Sequence, residues 1–198
     1  MKLKSGCNVP FPEQLEEGYM VKDNQIIANI DIDSIESVMQ HFIVMHKEPL
    51  FFILELPASV DETEISPGIV EKLHKDIYYI DGCSLDEALV IISRVGALLF
   101  NDGLSSFGYG GHESGDEIMF GKYNVLTIFS QDIEKYDEFF SAHDIKKKYD
   151  ILSAWETFSE KHPGTSDRVT IDDKDVFSIP KQFEDWGMYL AEQRESDI

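Results

Sequence analysis

Leu50-Phe51-Phe52-Ile53-Leu54-Glu55-Leu56 is apolar at six of its seven positions and is flanked by Pro49 and Pro57. A buried helix needs a longer run, and the prolines punctuate both ends. The stretch therefore reads as a central β-strand covered on both faces. A strand of this kind needs neighbours on each side and a second layer to cover it, so the rest of the chain must supply both.

The neighbours are legible. Gly18 to Ile32 reads as a hairpin that turns at Lys22-Asp23-Asn24, with Ile26, Ala28, Ile30 and Ile32 alternating on its second arm. Asp76 to Asp81 carries Ile77, Tyr78, Tyr79 and Ile80 and reads as a strand stopped by Gly82. Ile118 to Phe129 reads as another, with a bulge or bend at Gly121. Residues 58–68 read as a loop containing the acidic run Asp61-Glu62-Thr63-Glu64.

The covering helices are legible too. Asp33 and Glu36 can cap a helix whose stripe is Ile35, Val38, Met39, Phe42 and Ile43. Ser84-Leu85-Asp86-Glu87 is a capping box ahead of Leu85, Ala88, Leu89, Ile92, Val95 and Leu99, with Gly103 near the helix C-terminus. Ile133, Tyr136, Phe139 and Phe140 fit a short acidic helix, and Tyr149, Leu152, Trp155 and Phe158 fit another. Arg168 to Ile179 suggests a small hairpin turning at Asp172-Asp173-Lys174, followed by a last helix with Phe183, Trp186 and Leu190.

Strands and helices intermixed with hairpins predict an α+β fold. Its centre is a mixed or antiparallel sheet with packed helices, and the alternative is a three-layer α/β core. The 198 residues are enough for one compact domain spanning 1–198. The best joint within it is Pro163 to Asp167, which would set off a C-terminal subregion at 165–198.

Charge narrows the function. The chain has 38 acidic and 17 basic residues, a net charge of -21 and a pI near 4.4. Such a surface repels nucleic acid and anionic lipid and suits a cationic partner or simple solubility. No apolar run is long enough to span a bilayer, and no apolar segment follows Lys2 and Lys4 as a secretory signal requires. Cys7 and Cys83 form no disulfide framework. The expected setting is cytoplasmic.

One stretch looks like a site: Gly108-Tyr109-Gly110-Gly111-His112-Glu113-Ser114-Gly115-Asp116-Glu117. Its glycines miss the dinucleotide pattern, it is followed by a strand, and Glu113, Asp116 and Glu117 would repel a phosphate. No Walker loop occurs. As a metal site the segment lacks the second histidine of H-E-x-x-H and the spacing of an EF-hand loop. His112, Glu113, Asp116 and Glu117 remain the one candidate ligand set. The plainer reading is a hairpin loop between Ser105–Tyr109 and Ile118–Phe120, with Gly110, Gly111 and Gly115 taking positive φ and His112 and the acids facing water.

The remaining chemistry is sparse. His41, His46, His74, His143 and His162 show no ligand spacing, and structural use is the expectation for all five. Cys83 stands before a helix N-terminus, but among acids that raise its pKa, and no G-x-S-x-G occurs. Aromatic residues mixed with acids resemble an interface that holds a basic protein through aromatic anchors and a charged rim. Asp132-Ile133-Glu134-Lys135-Tyr136-Asp137-Glu138 is the densest example.

The expectation is a non-enzymatic acidic protein, without cofactor, that binds a basic protein. Tyr109, Glu113, Asp116, Glu117, Asp132, Glu134, Tyr136, Asp137 and Glu138 are its contact candidates. In size, acidity and absent chemistry it resembles small bacterial immunity or inhibitor proteins, and a toxin, such as a nuclease, is the sharpest partner. The alternatives are a metal-dependent enzyme built on the 108–117 loop and an accessory domain whose acidity serves solubility alone.

Overall fold

The structure is a computed structural model that describes residues 1–58, 62–67, 69–72 and 75–194, with only the backbone of 62–66 and 69–72. Its elements, in chain order, are β1 (Cys7–Asn8), β2 (Gly18–Lys22), β3 (Gln25–Asn29), α1 (Ile32–Met45), β4 (Leu50–Pro57), β5 (Glu62–Ser66), β6 (Ile69–Lys72), β7 (Lys75–Cys83), α2 (Leu85–Asn101), β8 (Ser106–Gly111), β9 (Glu117–Phe120), β10 (Val125–Phe129), α3 (Lys135–Ser141), β11 (Thr165–Ser166), α4 (Ile179–Gln182) and β12 (Tyr189–Arg194). Among the described residues the main sheet has eight strands in the order β12-β7-β4-β8-β9-β10-β3-β2. All its pairings are antiparallel, and the fold is α+β.

The apolar run sits near the middle of the sheet, between β7 and β8. Its even positions Leu50, Phe52, Leu54 and Leu56 are buried in the main core beside α1 and α2. Each such side chain contributes about 1.5–3 kcal/mol by leaving water. Ile80, Phe107, Tyr109, Ile118, Phe120, Leu126, Ile128, Ile26 and Ala28 continue this face across the neighbouring strands. The opposite face departs from the expectation of complete cover: Ile53 is buried, but Phe51 and Glu55 are only partly so. The helices pack on one face, so the architecture is two-layered and the three-layer alternative does not hold.

The expected stripe of α1 is buried at Ile35, Val38, Met39, Phe42 and Ile43. Its cap is Asp31, two residues earlier than expected, whose side chain accepts from Asp33 N. Ile32 thereby becomes the first helical residue rather than the last of the hairpin arm. The box of α2 forms as expected: Glu87 N donates to Ser84 Oγ and Ser84 N to Glu87 Oε2. Gly103 does not provide a left-handed end to α2. The Asp102 carboxylate takes that role, accepting from the amides of Leu104, Ser105 and Val169. Gly103 is needed for closeness instead, since a Cβ there would lie 2.0 Å from the Gly6 carbonyl oxygen.

Several strands run differently from their patterns. β7 passes through Gly82, which takes φ +73 and forms a bulge, because Leu50 faces Cys83 while Phe51 faces Asp81. The stretch from Ile118 to Phe129 is two paired strands, reversed at Tyr123 and Asn124 with positive φ. Buried Asn124 locks that reversal by accepting from Lys4 N and donating to Lys2 O and Ile30 O. The loop expected at 58–68 contains β5, which pairs with β6, while Asp61 lies outside the described residues.

The C-terminal third departs most. Residues 149–158 hold only a short 3₁₀ turn at Ala154–Thr157, with Tyr149, Leu152 and Trp155 exposed. The expected hairpin at 168–179 reduces to one bridge, Ile171 to Lys174, around Asp172 and Asp173 at positive φ. The expected last helix stops at Gly187 (φ +83), and Leu190 lies on β12, an edge strand of the main sheet. Residues 165–198 are no separate subregion where described: β11 pairs with β1, and Val176, Ile179, Phe183 and Met188 join the main core.

Candidate functional site

Side chains of the open face fall into rows, because antiparallel pairing aligns them strand by strand. One row reads Asp81, Phe51, Gly110, Glu117, Phe129, Gln25 and Lys22, crossing seven strands from β7 to β2. Gly110 leaves room for the Phe51 ring, whose Cζ would be 2.0 Å from any Cβ there. Beyond Gly110 stands Glu117, and opposite it Phe129, which is half exposed. His112 packs edge-on against Phe51 with ring centres 5.3 Å apart. Tyr79 is 5.7 Å from Phe51 by the same measure, and Tyr189 donates to Asp81 at 2.5 Å.

Glu117 is the unusual member. It is partly buried, and no hydrogen bond satisfies its carboxylate among the described residues. Burial pushes its carboxyl above the ordinary range, the nearby charge of Glu55 adds to that, and Arg194 opposes it. Among the described residues this carboxylate, held beside that of Glu55 on an aromatic surface, is offset only by the more distant charge of Arg194. Further along the same face, Glu55, Lys75, Ser106, Met119, Lys122 and Trp155 line a groove of about 540 Å³. Its floor includes the Lys75–Glu55 ion pair at 3.0 Å.

The turn that carries the row is tied down by Asp116. Its carboxylate faces the core and accepts from Ser130 Oγ at 2.7 Å, Tyr136 OH at 2.7 Å, His46 Nε2 at 3.0 Å and Lys135 Nζ. Burial alone would raise its pKa, but Lys135, Tyr136, His46 and Ser130 together outweigh burial and hold the carboxyl below its usual range. His46 is fixed from its other side by a 2.7 Å contact between Nδ1 and Phe42 O. One buried carboxylate thus joins the 112–116 turn to the end of α1, to the segment after β10 and to the start of α3.

This geometry corrects part of the sequence reading. Tyr109, Asp116 and Tyr136 are buried, so they cannot touch a partner at the surface. Tyr109 donates to Ala88 O in the core, and Tyr136 and Asp116 bond to each other. Glu113, Asp132, Glu134, Asp137 and Glu138 are exposed. Asp137 is already engaged by Tyr19 OH and Lys147. Because Asp116 bridges the turn to α3, the acids of the loop and those of 132–138, far apart in sequence, come to one end of the sheet.

The four residues of the alternative metal-site reading diverge. His112 faces Asp81 at 3.7 Å, Glu113 pairs with Lys47 at 2.7 Å, Asp116 points into the core and Glu117 lies over the open face. Among the described residues no three His, Cys, Asp or Glu side chains converge as a metal site. Of the loop glycines only Gly115 takes positive φ, because Gly110 and Gly111 belong to β8. Cys83 is a buried free thiol pushed up to about 11 by burial and by Glu87, which leaves it protonated.

Sequence reasoning missed Phe51, Tyr79, Phe129 and Tyr189 as surface residues, and His46, Ser130 and Lys135 as partners of Asp116. Parity was the available signal for the first group. In β4 the odd positions must face away from Phe52, Leu54 and Leu56.

Fold and site together define an acidic two-layer α+β protein with an open antiparallel sheet face. No protein-family model, curated protein or solved structure matches the chain. Among the described residues no helix is long and apolar enough to cross a membrane.

Proposed function

We propose that this chain is a non-enzymatic binding protein that holds a basic protein partner on the open end of its sheet. The observation that carries the reading is Glu117: a partly buried carboxylate without a hydrogen-bond partner among the described residues, set between Phe51 and the half-exposed Phe129. A lysine or arginine entering there would gain a desolvated counter-charge and aromatic walls, while Asp132 and Glu134, together with Glu113 once it exchanges Lys47 for the partner, form an acidic rim. A net charge of -21 speeds the approach of a cationic protein. Acting in the cytoplasm as an immunity or inhibitor protein against a cationic toxin is the sharpest form of this reading. A surface of carboxylates can occupy a toxin site that otherwise receives phosphate.

The test is a photo-crosslinking residue placed at Phe129 in the full chain and irradiated in extract of the native host. The expected product is a basic protein, captured at low salt, lost near 0.5 M salt and lost in Glu117→Lys. Capture of acidic or neutral proteins, or capture indifferent to salt and to Glu117→Lys, overturns the proposal.

A further inference from the structure

On the helical layer, α1 meets the turn after α3 through two imidazoles. His41 Nδ1 lies 3.0 Å from His143 Nε2. On its other side His143 Nδ1 is 3.3 Å from Ser37 Oγ, which sits one helical turn before His41. Ser37 Oγ also donates to Ser34 O at 2.9 Å. This chain of contacts fixes the protons. The only hydroxyl proton of Ser37 goes to Ser34, so Ser37 Oγ accepts from His143 Nδ1–H. In neutral His143 the Nε2 atom then bears a lone pair, which accepts from His41 Nδ1–H. The buried Phe139 ring supports both imidazoles, with ring centres 4.7 Å from His41 and 5.6 Å from His143.

We propose that His41 Nδ1 and His143 Nε2 form a two-histidine clasp for a divalent transition-metal ion, Zn²⁺ or Cu²⁺, with water completing the coordination. The two nitrogens already point at each other across a single proton. A tetrahedral ion with metal–nitrogen bonds of 2.0–2.1 Å would set them about 3.3 Å apart and sit to one side of the line that joins them, so the rings need to part by a few tenths of an ångström and each to tilt by about 35° for their lone pairs to converge on it. Binding asks one proton to move: His41 shifts it from Nδ1 to Nε2, and neither ring changes charge. Ser37 accepting the far N–H of His143 is the outer contact that metal-bound imidazoles commonly have, and it fixes the tautomer that leaves Nε2 free. Imidazole nitrogen suits Zn²⁺ and Cu²⁺ ahead of Mg²⁺ or Ca²⁺. The clasp is separate from the 108–117 loop and from the open sheet face.

The full chain, stripped with chelator, is titrated with Zn²⁺ by calorimetry at pH 7.5 and with Cu²⁺ by electron paramagnetic resonance. One ion per chain is expected, with nitrogen superhyperfine splitting from two imidazoles. His41→Phe, which keeps a ring over Phe139, and His143→Gln should each lose this saturable binding while keeping the wild-type circular dichroism. Ser37→Ala should weaken it about 10-fold or more, and His112→Ala should leave it unchanged. Affinity should fall as pH drops to 5.5, where protons compete for both rings. Undiminished binding in folded His41→Phe and His143→Gln, or no saturable binding by the wild type, overturns the proposal.

Discussion

Removing the Asp116 carboxylate should cost this protein a large part of its stability. Asp116→Ala leaves His46 Nε2, Tyr136 OH and Ser130 Oγ without their acceptor, and all three residues are buried. Each buried donor left unpaired costs about 1–3 kcal/mol. Lys135 loses its counter-charge but is 31% exposed and can turn to water, so it adds little. Partial relaxation makes the sum less than additive, and about 3–5 kcal/mol is expected, in line with breaking one side of a buried ion pair. Total stability for a domain is about 5–15 kcal/mol, so this is a large fraction of it. The assay is urea unfolding at pH 7 followed by the fluorescence of Trp155 and Trp186. With a slope of about 2–3 kcal/mol per molar urea, the midpoint should fall by roughly 1–2 M. Tyr136→Phe introduced into Asp116→Ala should cost less than it does in the wild type, because its hydroxyl has already lost its acceptor. The pH dependence carries a sign of its own. The Asp116 pKa is depressed in the folded state, so its stabilisation is complete above the unfolded carboxyl value near 4 and is lost as pH falls through the lower folded value. Asp116→Asn should flatten that acid limb. A loss under about 1 kcal/mol in Asp116→Ala, with unchanged acid sensitivity in Asp116→Asn, would refute the reasoning.

Two further perturbations test the open face and the packing beneath it. Glu117 has a raised pKa, so its native-state cost appears as pH climbs through the ordinary value of 4.5 toward the folded one; Glu117→Gln should raise the urea midpoint at pH 7 and leave it nearly unchanged below pH 4, and a lowered midpoint at pH 7 would contradict that cost. Gly103→Ala drives a Cβ to 2.0 Å from Gly6 O and 2.8 Å from Asp167 N, both backbone atoms, so a loss of about 1–3 kcal/mol should appear as a lower thermal midpoint, and an unchanged midpoint would contradict the close seam between residues 6, 103 and 167.

Local pattern was sufficient for the elements that build the core. The stripe of α1, the box and stripe of α2, the first hairpin and the Leu50–Leu56 strand are repeats of 3.6 or 2 residues, or short-range hydrogen bonds, and these are written in neighbouring residues. The same logic failed where a tertiary partner outweighed the period. Tyr149, Leu152, Trp155 and Phe158 have helical spacing, yet Ile151 and Ala154 are the residues buried there, and Trp155 and Phe158 pack on Tyr123. Leu190 continues the apparent last helix on paper, but Gly187 turns the chain so that β12 can satisfy the free edge of β7.

Sequence alone determined the α+β class, the helical faces and the net charge of -21, because each follows from residue type or from contacts within a few positions. Tertiary structure alone decided which acids are buried and which are exposed. Asp116 and Glu117 are adjacent in sequence, but strand parity sends one into a nest of four donors and leaves the other, on the opposite face, without any among the described residues. It also decided that His41 and His143, 102 residues apart, bring ring nitrogens within 3.0 Å of each other. Pairings at that separation depend on how α1 and α3 pack across the sheet, and no local spacing encodes them.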